Sequence, residues 1–223
     1  NYQKTYYVPN NMAICLSGDF DPDEMIAVIE KYFSQMEPNK DLPEITLTTS
    51  SKIESPVEKN VYGLDAENVM IGWKYPGAKS EDALVADVAA SVLYNGSAGL
   101  IDLNINQQQK VLGAYGMSYG RPDAGEFILM GNPKQGQTLE EVRDILLAEV
   151  AKLRNGEFDE TVLSGTVNNM KKELMRSLED NGRRADMFVQ SFINGTDWAD
   201  EVKAIERMQE VTKKDIMDWA GRY

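Results

Sequence analysis

Residues 113–131 read GAYGMSYGRPDAGEFILMG, and the strand pairing encoded in this stretch sets the fold class. Gly113 to Tyr119 and Glu126 to Gly131 each have the length and composition of a β-strand, and a polar turn at 121–123 lies between them. A short polar connection of this kind joins neighbouring antiparallel strands. The sequence therefore predicts a β-hairpin.

A third strand is predicted upstream of the hairpin, at Asn68–Tyr75. Apolar Val69, Ile71 and Trp73 alternate there with other residues. Successive side chains of a strand point to opposite faces of a sheet, so this alternation is typical of a strand with one buried face.

Most of the remaining sequence carries helix signals. A segment capped by Ser80 and running to Leu93 is apolar on nearly all sides, so we expect a buried helix. Thr138 begins a capping box, and Asn155-Gly156 ends the helix that follows. Further helices are predicted at 100–105, about 159–179, about 182–193, about 198–208 and after a Thr212 cap. Strands followed by helices, with antiparallel pairing, indicate an α+β fold.

The first 60 residues have a different organisation. A strand is predicted at Tyr6–Leu16, and Asp21-Pro22-Asp23-Glu24 predicts the start of a helix with apolar residues at helical spacing as far as Met36. Prolines and polar residues dominate 37–60, which is typical of an inter-domain linker. Part of this linker, Ile45-Thr46-Leu47, could instead pair as an edge strand.

The net charge disfavours one class of binding partner, nucleic acid. The net charge is −13 and the sequence pI is about 4.5, which opposes binding to nucleic acid. The acidic surface could favour basic peptides, or it could serve solubility alone. No segment has the roughly 18 consecutive apolar residues that a membrane-spanning helix needs.

The single cysteine, Cys15, lies in an apolar run and is expected to be a buried structural thiol. Because the chain opens at Asn1 and not at a methionine, we expect a fragment of a longer protein.

The chain contains no histidine. This excludes Ser-His-Asp and Cys-His nucleophiles, and also every zinc motif that contains histidine. A carboxylate-only metal site remains possible, but no clustered pattern such as a calcium loop occurs. We therefore assign no catalytic and no metal-binding residue, and expect the chain to be inactive alone.

Several segments, in order and spacing, resemble the insulinase/pitrilysin family of zinc metallopeptidases. The first is Tyr6-Tyr7-Val8-Pro9-Asn10-Asn11-Met12 with Gly18-Asp19-Phe20-Asp21, which is similar to the end of that family's catalytic-type domain. The later ones resemble its inactive domain: residues 70–77, 93–100, 112–115 and 208–216.

The resemblance implies an antiparallel sheet with helices packed on one face, as in the mitochondrial-processing-peptidase-like fold. It implies three parts: the last strand and helix of a catalytic-type domain (1–36), a linker (37–60) and a non-catalytic domain (61–223). In the family, two halves close like a clamshell around peptide substrates, and zinc is held by His-x-x-Glu-His upstream of this region. The zinc would then belong to an upstream catalytic domain, in the same protein or in a paired subunit. Alternatively, the parent is an inactive scaffold subunit. Bacterial members are often periplasmic or associated with the cell envelope, and others are cytoplasmic.

The resemblance also suggests substrate-binding residues. Gly96, Ser97 and Gly99 form a loop at the place where the family can anchor a substrate through backbone contacts; the alternative is a simple helix-to-helix turn. Tyr115 corresponds to a substrate-binding tyrosine in some members, but the arginine that precedes it there is replaced by Gln108 or Gln109, so it could equally be a packing residue. The strand near 113–119, or an edge strand beside it, could pair with an extended peptide.

Overall fold

Three antiparallel strands form one sheet in the part of the chain that the computed structural model describes, residues 2–44 and 53–223. They are β1 (Val69–Tyr75), β2 (Gly113–Gly120) and β3 (Gly125–Asn132), in the order β1-β3-β2. The hairpin predicted at 113–131 is confirmed, with Met117 opposite Ile128, and so is the third strand. Strand β3 is therefore central, and β1 and β2 are the two edges.

The helices follow one another along the described chain as α1 (Tyr2–Tyr6), α2 (Pro22–Phe33), α3 (Glu81–Leu93), α4 (Leu139–Asn155), α5 (Glu160–Glu179), α6 (Asn181–Asn194), α7 (Trp198–Val202), α8 (Ala204–Glu210) and α9 (Lys213–Arg222). Short 3-10 and π-helical turns occur at Pro9–Asn11 and Asp102–Asn106. The π-helical turn overlaps the short helix predicted at 100–105. The α+β prediction is confirmed.

One face of the sheet is buried beneath helices. Phe127 and Leu129 of β3 point to this face and are almost inaccessible to solvent. Helix α4 packs so closely that a Cβ added at Gly131 would lie 2.5 Å from Cγ1 of Val142. From α9, the Trp219 ring lies 4.9 Å from the Phe127 ring, centroid to centroid. Burial of these apolar side chains is the main stabilising contribution to the domain.

The predicted helix starts are mostly confirmed. The capping box at Thr138 is present, and Gly156 ends α4 with a φ of 70°. Helix α3 is buried as expected, but Ser80 makes no capping bond, because its hydroxyl donates to the carbonyl of Pro76. The single helix predicted at 198–208 is wrong. It breaks at Lys203, since α7 packs on α6 whereas α8 packs on α3 and α5.

The strand predicted at Tyr6–Leu16 is also wrong. Residues 2–6 are helical, a 3-10 turn follows, and 12–17 form no ladder with any described part of the chain. A strand needs a neighbouring strand to accept its backbone hydrogen bonds, and none lies beside this segment in the ranges described. Cys15 is half-buried, not buried. Helix α2 begins as predicted, with the Asp21 carboxylate accepting from the N–H groups of Asp23 and Glu24, but it ends at Phe33.

The described residues of the predicted linker, 37–44 and 53–60, contain neither helix nor strand. Ile45-Thr46-Leu47 lie outside the described residues. The division into parts 1–36, 37–60 and 61–223 stays a prediction.

Candidate functional site

The loop that holds Gly96, Ser97 and Gly99 is folded around two side chains. The Asp102 carboxylate is 5% exposed, and one of its oxygens, Oδ2, accepts hydrogen bonds from the N–H groups of Asn95 and Gly99, both at 3.0 Å. The Asn95 side-chain oxygen accepts from the N–H groups of Ser97 and Ala98 at 3.1 and 2.9 Å. Sequence reasoning missed Asp102, although its position just after the loop could have indicated an acceptor for the loop's N–H groups.

Glycine is required at positions 96 and 99 for two different physical reasons. Gly96 has a φ of +78°, which other residues rarely adopt, and no atom lies within 4 Å of where its Cβ would be. At Gly99 a Cβ would lie 2.5 Å from the carbonyl oxygen of Leu93, so this glycine is required by packing. Residues 96–98 are exposed, whereas Gly99 is buried. Only the first part of the loop is therefore available to a ligand.

Tyr115 lies beside this loop. Its ring centroid is 6.4 Å from that of Tyr94, the residue that ends α3 and begins the loop. Gln107 donates to the carbonyl of Ser97 at 3.2 Å and ties the next turn to the loop. Tyr115 is half-buried, and its hydroxyl has no hydrogen-bond partner within 2–44 and 53–223. The structure thus brings the predicted residues into one neighbourhood, with Tyr94 between them.

Tyr115 belongs to a larger surface, the sheet face that points away from the helices. We call this the open sheet face. The register places apolar side chains from all three strands on it: Met70, Tyr115, Met117, Tyr119, Ile128 and Met130. Met70 and Tyr119 are 59% and 52% exposed, and the others are half-buried. A contiguous apolar surface of this kind typically marks a place of contact with a partner or ligand.

Strand β2 is an edge strand, as the peptide-pairing prediction requires, but its outer edge is partly occupied. The Asn106 side-chain amide accepts from the N–H of Ala114 at 2.9 Å and donates to its carbonyl at 2.8 Å. Asn106 thus takes the place that a residue of an added strand would take. Gly116, two residues on, is buried.

The buried carboxylates offer no metal site. Glu149 accepts from the Asn104 amide at 2.8 Å and pairs with Lys152 at 2.8 Å. The Asp102 carboxylate accepts hydrogen bonds from two N–H groups of the loop. Within the described ranges, no three residues among His, Cys, Asp and Glu come together as a potential metal site. No helix described there is long and apolar enough to cross a membrane.

One carboxyl has a strongly altered acidity. Asp87 of α3 is exposed as a residue, but the protein around its carboxyl removes water from it and raises its pKa from 3.8 to about 6. It faces Ser118 of β2, whose hydroxyl lies 2.7 Å from the Tyr75 hydroxyl. Ser118 lies on the helix side of the sheet, so this polar cluster is separate from the open sheet face.

Comparison with known proteins identifies the domain. Residues 1–170 match the family described as the peptidase M16 inactive domain. Zinc protease PqqE of Helicobacter pylori is 23% identical in an alignment of 207 positions that covers 87% of this chain and 46% of that protein. The crystal structure of a protease from Helicobacter pylori superposes with a TM-score of 0.85 at 18% identity, over all of this chain and 55% of that one.

The periplasmic protease PqqL from Escherichia coli has the same fold, with a TM-score of 0.65 at 16% identity, over 99% of this chain and 26% of that one. The chain spans about half the length of the first two relatives. With a family match over residues 1–170 and the same fold in both solved structures, the chain belongs to the peptidase M16 family, as its inactive domain.

Proposed function

We propose that this domain encloses and holds peptide substrates for a zinc-dependent metalloendopeptidase whose catalytic domain lies in the same protein or in a paired subunit. The observation that carries the proposal is the open sheet face. An apolar surface alone would suit a partner subunit as well as a peptide, and the neighbouring loop with exposed Gly96 and Ser97 favours the peptide.

The open sheet face suits substrates of varied sequence. Met70, Met117 and Met130 lie in a band across the three strands. Methionine side chains are flexible and polarisable, so they adapt to different apolar partners. Tyr115 adds an amphipathic ring with a hydroxyl able to donate or accept. The face would therefore bind extended peptides through apolar contact, with little demand on sequence.

The loop at 96–99 would contribute less to substrate binding than its two glycines suggest. The N–H groups of Ser97, Ala98 and Gly99 already donate to Asn95 and Asp102. The Ser97 hydroxyl and the Gly96 peptide group remain for a substrate. We propose that these two groups and the Tyr115 hydroxyl bind peptide backbone at one end of the open sheet face.

Zinc does not fit this chain. The sequence has no histidine and one cysteine, and zinc in such peptidases needs imidazole ligands. The domain's part in the reaction is therefore positional: it excludes water from one side of the chamber and orients the peptide toward a metal held elsewhere. Because the Escherichia coli relative PqqL is a periplasmic protease, a periplasmic or cell-envelope location is favoured for the parent protein, and a cytoplasmic location is the alternative.

A charge on the open sheet face tests the proposal in the parent protein. Met130→Asp should raise KM for peptide hydrolysis about tenfold or more, because a carboxylate would have to be buried against the substrate. Leu147→Asp is the matched control. Leu147 lies on α4, which packs on the other face of the sheet, and it is 38% exposed. Equal KM values for both variants would contradict substrate enclosure and would favour the alternative, an inactive subunit that assembles with a zinc-bearing partner.

A further inference from the structure

Four asparagines of the sequence are followed directly by a glycine, and asparagine in this position can lose its side-chain amide spontaneously. They are Asn95, Asn155, Asn181 and Asn194. In this reaction the peptide nitrogen of the glycine attacks the side-chain carbonyl carbon, Cγ, of the asparagine. Glycine favours the attack because it has no Cβ to hinder the approach and a freely moving backbone. The backbone conformation at each asparagine then decides which of the four can react.

Helical structure protects three of the four. Asn155 and Asn194 are the last residues of α4 and α6, and Asn181 is the first residue of α6. The helical backbone angle ψ is about −42°, which turns the next peptide nitrogen away from the asparagine side chain. The N–H groups of Gly156 and Gly195 also donate to carbonyls of the helices that they end. Ring closure at these positions would first have to break helical hydrogen bonds.

Asn95 differs from the other three because it lies outside any helix. Helix α3 ends at Leu93, and Asn95 belongs to the loop that follows. Its side-chain oxygen, Oδ1, accepts hydrogen bonds from the N–H groups of Ser97 and Ala98, at 3.1 and 2.9 Å. These two residues come directly after Gly96, so the Asn95 side chain is folded back over the Gly96 peptide nitrogen.

The same two N–H groups suit the transition state of the attack. When the Gly96 nitrogen bonds to Cγ of Asn95, negative charge develops on Oδ1, and donors already aimed at this oxygen stabilise that charge. The leaving nitrogen, Nδ2, donates to the carbonyl of Ser91 at 3.0 Å, which fixes the orientation of the amide. The reacting atoms and both donors lie within residues 95–98. The arrangement therefore does not depend on what else contacts the loop.

We propose that Asn95 is a site of spontaneous covalent modification, at which the side chain closes to a succinimide with Gly96 and then opens to aspartate and isoaspartate. The Gly96 nitrogen gives its proton to a solvent base and bonds to Cγ, while the Cγ–Nδ2 bond breaks and ammonia leaves. Water then opens the ring at either carbonyl. Water is consumed and ammonia is released, so the reaction needs no oxidant or reductant. This chemistry is independent of the proposed function.

Either product changes the loop. Aspartate at position 95 would place a second carboxylate near that of Asp102, which accepts from the N–H of this residue, and it would lose the bond to Ser91. Isoaspartate inserts a carbon atom into the main chain before Gly96 and displaces the exposed residues that follow it. Modification would thus alter the loop progressively as the protein ages.

The test compares the four asparagines within one sample of the full-length parent protein. The folded protein is incubated at mildly alkaline pH and then digested under acidic conditions that suppress further ring closure. Mass spectrometry measures loss of the amide at each asparagine, and electron-transfer fragmentation distinguishes isoaspartate from aspartate. We expect isoaspartate at residue 95 to accumulate about tenfold or more faster than at Asn155, Asn181 or Asn194. In urea, where helices and loop are both lost, the four should react at similar rates.

Equal rates in the folded protein, or aspartate at residue 95 without isoaspartate, would overturn the proposal, because direct hydrolysis of the amide gives aspartate alone. A matched pair of variants tests the two donors. Ser97→Pro removes one N–H from Oδ1 and should slow the reaction at Asn95 several-fold, whereas Ser97→Ala keeps that N–H and should leave the rate unchanged. An equal or faster rate in Ser97→Pro would contradict the assisted attack. Should Ser97→Pro fail to fold, the comparison of the four asparagines still decides.

Discussion

Removal of the Asp102 carboxylate should destabilise the domain by about 2–4 kcal/mol. The carboxylate is buried and accepts two backbone N–H groups, from Asn95 and Gly99. A hydrogen bond to a charged acceptor contributes roughly 1.5–3 kcal/mol, and an N–H left buried without a partner costs about as much. The Asn95 group is only partly buried, so water can replace one of the two bonds. This lowers the total for Asp102→Ala to the stated range.

Urea unfolding monitored by far-UV circular dichroism measures this quantity. Asp123→Ala is the control, because Asp123 is an exposed acid in the β2–β3 turn. Asp102→Asn should lie between the two, since one oxygen accepts both bonds and an amide oxygen can replace it. Hydrogen exchange at 95–99 should accelerate in Asp102→Ala more than elsewhere. A loss under about 0.5 kcal/mol would refute the argument that Asp102 organises the loop.

Three further predictions concern stability. Trp219→Ala should cost about 3–5 kcal/mol in urea unfolding, because this ring is 3% exposed and joins α9 to Phe127; a loss near 1 kcal/mol would contradict that role. Thr138→Ala should cost about 1 kcal/mol through loss of the capping box, whereas Ser80→Ala should cost less than about 0.5 kcal/mol because Ser80 makes no capping bond; equal losses would contradict the difference. The pKa of Asp87 is raised in the folded state from 3.8 to about 6, so its ionisation opposes folding, and stability falls as pH rises through this window. Asp87→Asn should therefore raise Tm at about pH 8 and leave it unchanged at about pH 4, and a gain of equal size at both pH values would contradict the assignment.

The sheet could be predicted from the sequence because its signals are local. Alternation at Val69, Ile71 and Trp73 and the short polar turn after Gly120 depend only on neighbours in the chain. The segment Tyr6–Leu16 shows the limit of such signals. It has the apolar residues of a strand, but the ladder that would make it one depends on a second strand, and none is adjacent among the residues that the structure describes.

Some features of the candidate site likewise have local sequence signals, whereas others depend on contacts between distant parts of the chain. A loop at Gly96 and Gly99 could be predicted from its small residues, and its role in binding was suggested by the family resemblance alone. The contacts that shape the loop come from Asp102 and Gln107, which pair with it only once the chain turns back. The open sheet face was missed although a signal existed. Tyr115 and Met117 in β2, and Ile128 and Met130 in β3, are apolar on the face opposite the buried one, and a strand that is apolar on both faces predicts a second contact surface.

Zinc content and peptide hydrolysis should be measured on the protein extended upstream to its natural start, because substrate enclosure has a purpose only beside a metal-bearing catalytic domain. We predict about one zinc per chain, or per pair of subunits, and cleavage that a chelator abolishes and that is lost when residues 61–223 are removed. No zinc and no cleavage, in the protein alone or with any paired subunit, would contradict substrate enclosure and would make this domain part of an inactive scaffold.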